Sequence, residues 1–121
     1  MNRGEQKIIN SFSKTLELID LVRKATGAEP TSQRDLLIWR SAAETEYLAF
    51  LIANMHSLED FIPPTERGLA VSADTAYDLI EKARGLLQSN PRLAYASVRQ
   101  TVSILRAMST DERRARRAQP S

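Results

Sequence analysis

The chain's single histidine, His56, stands three and four residues before Glu59 and Asp60. On a continuous helix that spacing brings an imidazole and two carboxylates to one face, a set that can hold a divalent ion. Di-iron bundles, however, need several Glu and two Glu-x-x-His pairs, and residue 53 here is Ala. The trio is therefore expected to be a polar exit from an apolar helix, and no metal ligand is assigned. Glu44 and Glu46, set in the most apolar segment, are the carboxylates best placed for acid/base work. Arg40 precedes Glu44 by one helical turn, so the expectation is a structural ion pair between Arg40 and Glu44.

Other catalytic constellations do not form. A Ser or Thr nucleophile needs a positioned base, and the one histidine has no triad context. Gly4, Gly27, Gly68 and Gly85 are scattered and make neither a dinucleotide fingerprint nor a P-loop. With no Cys, thiolate nucleophiles, disulfides and thiolate metal sites drop out. No catalytic residue, cofactor or small-molecule substrate is assigned.

The distinctive pattern is basic. Arg92, Arg99, Arg106 and Arg113 recur every seven residues, and seven residues return to nearly one helix face, drifting by about 20° per step. Arg114, Arg116 and Arg117 extend the stripe into the C-terminal segment. Two roles follow. The stems can cover the edge of a core while the guanidinium groups pair with acids of a neighbouring helix, such as Glu17 or Asp20. Alternatively the stripe meets phosphates or an acidic protein surface, which the planar Arg fork binds bidentately. A helix-turn-helix reading of DNA is disfavoured, since the helices around Ser89-Asn90-Pro91 are long and that turn lacks a central Gly.

The elements that must position these residues follow from apolar periodicity. Ile8, Ile9, Phe12, Leu16, Ile19 and Val22 define an amphipathic helix over about 5–26, closed by Gly27 and Pro30. Thr31 and Ser32 can cap a second helix, about 33–58, whose C-terminal half is apolar nearly all round. That marks it as a central helix, and its circumference exceeds what three neighbours cover, which permits homo-oligomerisation. Pro63, Pro64 and Gly68 force the longest loop, with Phe61 and Ile62 expected to fold back on the core. A third helix, about 74–88, starts at Ser72 or Asp74, and Asn90-Pro91 opens a fourth, about 91–109. Ser109 to Glu112 resembles a capping box, so 110–121 is expected to be a basic tail, either a short helix or disordered.

The hairpin around Asn90-Pro-Arg-Leu-Ala-Tyr-Ala96 resembles those of TPR and HEPN proteins. No fixed-period repeat and no Arg-x(4–6)-His pattern supports either family, and none is assigned.

The fold class expected is therefore all-α, a single-domain four-helix up-down-up-down bundle over 1–109. A chain of 121 residues with 42% hydrophobic content suffices for one core without staples. Its net charge of +2 conceals an imbalance, −3 over residues 1–66 and +5 over 67–121. The longest apolar run, Tyr47 to Ala53, is too short to span a bilayer, which takes about 20 residues, and no secretory signal opens the chain, so a cytoplasmic protein is expected. The function expected is a non-enzymatic interaction or assembly subunit, its arginines set against an acidic partner. The alternative is a nucleic-acid-associated protein that binds phosphates without base readout.

Overall fold

A computed structural model describes residues 2–25 and 32–118. Four helices form the bundle: α1 (Arg3–Lys24), α2 (Ser32–His56), α3 (Ala73–Leu86) and α4 (Pro91–Ala118). The turn expected at Gly27 to Pro30, the Thr31 cap and the last three residues lie outside the described residues.

Local chemistry sets the helix ends. The Asn2 side chain accepts from the Glu5 N–H at 2.7 Å, Ser72 from Thr75 at 3.2 Å, and Asn90 from Leu93 at 3.1 Å. Each satisfies an orphan donor of a first turn. α2 stops at His56, because Ser57 takes a left-handed φ of 55° and the Leu58 N–H returns to the Ala53 carbonyl at 2.9 Å. That is a Schellman closure with Ser where Gly is usual. It drives Leu58 into the core and takes Glu59 and Asp60 off the helix, so the trio with His56 is not on one helical face.

The helices occupy the corners of a square. α1 packs on α2 and α3, α4 packs on α2 and α3, and the backbones of the diagonal pairs stay more than 8 Å apart at every Cα. Phe12, Ile19, Ile38, Leu48, Ile52, Ile80, Val98 and Leu105 fill the centre, all essentially without exposure.

Direction departs from strict alternation at α3. Arg23, at the end of α1, reaches Asp74 (3.8 Å) and stacks 4.0 Å over Tyr77, both at the start of α3. The end of α2 lies at the opposite pole, where Met55 meets Gly4. α3 is thus parallel to α2, the order is up-down-down-up, and residues 57–72 form a strap running the length of the bundle. The strap follows α4: Phe61 packs on Tyr95 (centroids 6.2 Å), the Glu66 N–H donates to Gln100 Oε1 (3.2 Å), and Val71 shares a cavity with Met108. Phe61 covers the core as expected, whereas Ile62 is 89% exposed. Two prolines keep the strap extended instead of letting it turn back beside α2.

α4 also differs from expectation. It continues without a break from Pro91 to Ala118. Ser109 does not cap a new helix, because its hydroxyl donates sideways to Asp35 (2.7 Å), while Thr110 donates back to the Arg106 carbonyl (3.2 Å). The helical order of 110–118 is therefore the end of α4 and not a separate tail.

Candidate interaction face

The arginine stripe lies on the α2 side of α4, and much of it is engaged within the chain. Arg106 pairs with Glu46, Arg113 Nε lies 3.3 Å from Asp35 Oδ2, and Arg116 Nη2 is 3.1 Å from the same oxygen. Arg113 also stacks 5.1 Å over Trp39, and Arg92 stacks 5.4 Å over Phe61. The acids come from α2 and not from Glu17 or Asp20, because α1 sits diagonally across the square from α4. Asp20 is held instead by Arg23 (2.6 Å) and Lys24 (2.8 Å). Hydrogen bonds from Lys24 and then Arg23 lower the Asp20 carboxyl below its ordinary value, and Asp20 in turn raises Arg23. Arg99, Arg114 and Arg117 form no ion pair among the described residues.

Sequence spacing missed Asp35 as the anchor of this network. It is buried in the first turn of α2, where the helix dipole favours a carboxylate, and it accepts from Ser109, Arg113 and Arg116. Beside it, Arg34 lies 3.8 Å from the buried Glu112.

The pair expected between Arg40 and Glu44 does not form. Glu44 accepts from Ser11 Oγ at 2.7 Å and lies 3.6 Å from Lys14 Nζ, since α1 packs directly against that edge of α2. Arg40 is exposed, with no ion-pair partner among the described residues. Glu44 and Glu46 are thereby drawn to opposite edges of α2, one toward α1 and the other toward α4. They do not converge on a common centre.

A second feature lies on α2, whose apolar circumference its neighbours leave partly uncovered. At a corner of the square it has only two neighbours, and its outward side carries Leu36, Trp39, Ala43, Tyr47 and Phe50. Leu36 is 59% exposed, Trp39 51%, Tyr47 45% and Phe50 64%. Projected on the helix, all four lie within about 40° of Ala43, which makes one stripe. The signal was present in the sequence: a four-helix bundle covers each helix from two sides, so a helix apolar all round must expose a strip.

Small Ala43 is flanked by two grooves. One, about 330 Å³ between α2 and α4, is lined by Trp39, Ala43, Glu46, Arg106 and Arg113. The other, about 270 Å³ between α1 and α2, is lined by Lys14, Arg40, Ala43, Glu44 and Tyr47. A larger cavity, about 750 Å³ at the pole where α1 ends and α3 begins, is lined by charges that pair with one another, Arg23 with Asp20 and Asp74, Arg34 with Glu112.

Among the described residues no group of three or more His, Asp or Glu stands close enough to hold a metal ion. None of the described helices is long and apolar enough to cross a membrane. No family model matches the chain, and comparison with curated proteins and with solved structures returns no match.

Proposed function

We propose that this protein is a non-enzymatic interaction subunit that docks another folded protein on the outward face of α2, with the arginines of α4 at the rim. One observation carries the proposal, the continuous stripe Leu36, Trp39, Tyr47 and Phe50 held half exposed on a rigid helix. Contiguous apolar surface of this kind marks interaction sites, and aromatic residues with Arg dominate their energetics. Arg40 borders the stripe with no ion pair among the described residues, which favours a partner that sets an acidic group at that edge of an apolar centre.

The test is a comparison of proteins retained by the immobilised wild type and by Trp39→Ser/Phe50→Ser. Both positions are exposed, so the helical content of the variant should be unchanged. Proteins held by the wild type and lost from the variant support the proposal. An identical set retained by both overturns it.

A second function rests on Arg114 and Arg117, exposed at the end of α4 without an acidic partner among the described residues. Together with Arg99 they can meet phosphates of a nucleic acid. Binding of a duplex oligonucleotide at about 50 mM salt, weakening steeply as salt rises, supports it, and no binding at that salt ends it.

A further inference from the structure

Resting on the docking face just proposed, we infer that its occupant is a second copy of this chain, packed α2 against α2 in antiparallel fashion about a two-fold axis beside Ala43. A two-fold interface uses the same patch twice, so that patch must complement itself: where one residue meets a second, the second must meet the first. Few exposed stripes satisfy this. Here the residues fall symmetrically about Ala43, with Leu36 and Phe50 seven before and after, Trp39 and Tyr47 four before and after, and Arg40 and Glu46 three before and after.

The grooves fix which edges meet. Arg40, Glu44 and Tyr47 line the edge toward α1, and Trp39 and Glu46 line the edge toward α4. Antiparallel pairing brings each edge against its own counterpart in the other copy. Arg40 then comes level with the second copy's Tyr47 ring and within one turn of its Glu44 carboxylate, and symmetry repeats the contact. Arg40 has no ion pair among the described residues, and a carboxylate has lone pairs to spare beyond Ser11 and Lys14. On the other edge the Trp39 indole N–H comes level with Glu46, while Leu36 faces Phe50 across the axis. Ala43, the smallest residue of the stripe, sits at the closest approach of the two helices.

Parallel pairing is poorer. It sets the α1 edge against the α4 edge, so Arg40 meets Trp39 and no carboxylate, and it aligns the two helix dipoles unfavourably. Three half-exposed rings of about 200 Å² each contribute about 300 Å² per copy before Leu36 and the groove walls are added. A standard stable interface takes about 800 Å² per partner. The dimer is therefore expected to dissociate reversibly, with a Kd on the order of 10 μM.

The experiment is sedimentation velocity on the full chain across concentrations bracketing that Kd, combined with engineered cysteines, which are unambiguous because the chain has none of its own. A mass rising from 13.6 kDa toward twice that value is expected. Ala43→Cys should cross-link to itself under mild oxidation. Leu36→Cys and Phe50→Cys should cross-link when mixed and not when alone. Ala43→Glu, which sets two carboxylates face to face at an exposed position, should leave the fold intact and return the monomer. A monomer at every concentration overturns the inference, as does a dimer in which Ala43→Cys stays reduced or Leu36→Cys alone cross-links. A monomer that still loses captured proteins on Trp39→Ser/Phe50→Ser overturns only the self-pairing and leaves the docking face standing. A dimer that persists in that double variant overturns the inference, and its unchanged protein capture would overturn the docking face as well.

Discussion

Ser109 in α4 donates a 2.7 Å hydrogen bond to Asp35 in α2, joining positions 74 residues apart in the sequence. Around that bond Arg113 and Arg116 complete the coordination of the same carboxylate. The last turns of α4, which have few apolar residues, are thus held to α2 by two buried acids, Asp35 and, facing Arg34, Glu112.

Replacing Asp35 by Ala leaves the buried Ser109 hydroxyl without its acceptor and releases two guanidinium groups. Because Arg113 and Arg116 are partly exposed and can return to water, the expected loss is about 2 kcal/mol and not the full cost of orphaning a buried charge. The amides of 110–118 should lose protection in hydrogen exchange, while those of 94–105 keep theirs. Urea unfolding and exchange mass spectrometry check the two parts separately.

Asp20 gives the bundle an acid-sensitive contact. Its carboxyl is depressed below the ordinary 3.8, first by Lys24 and then by Arg23. A depressed acid stabilises the fold above its unfolded value, and the contribution disappears as pH falls through the folded one. The difference in thermal midpoint between wild type and Asp20→Asn should be constant from pH 5 to 7. It should shrink once pH drops below the ordinary 3.8. A difference independent of pH would show that the ion pairs contribute nothing.

Two backbone positions are not optimal. Ser57 adopts a positive φ that Gly takes without strain, so Ser57→Gly should stabilise by about 0.5–1 kcal/mol. Gly85 is helical with open space around a built Cβ, so Gly85→Ala should add about 0.5–1 kcal/mol through helix propensity. Chemical denaturation of each variant, with the m-value unchanged, is the check.

How much of this was legible depends on how many faces of each helix are apolar. α1, α3 and α4 each carry a single seam, so Phe12, Ile80 and Leu105 were assignable to the core from spacing alone. Ser72 and Asn90 announced their helices through cap chemistry, which is local. α2 was misplaced at the centre because periodicity reports that a face is apolar and not that something covers it. The direction of α3 was hidden for a different reason: Pro63, Pro64 and Gly68 show that a helix ends there, and nothing local distinguishes a bend from a strap. The arginine stripe was legible as one helix face from its seven-residue recurrence. Its partners were not, since which acid lies opposite depends on which helices share an edge of the square.

The strap makes the protein a natural two-piece assembly. Arg67 is exposed at its middle and is followed by Gly68 at φ 83° in open space, so trypsin should cut there before it attacks the helices. The products are two helical hairpins, α1–α2 and α3–α4. They share both remaining edges of the square, so the nicked molecule should co-elute as one species in gel filtration. Fragments 1–67 and 68–121, expressed apart, should then find each other and restore the helical signal, which turns the bundle into a split reporter assembled from its own halves.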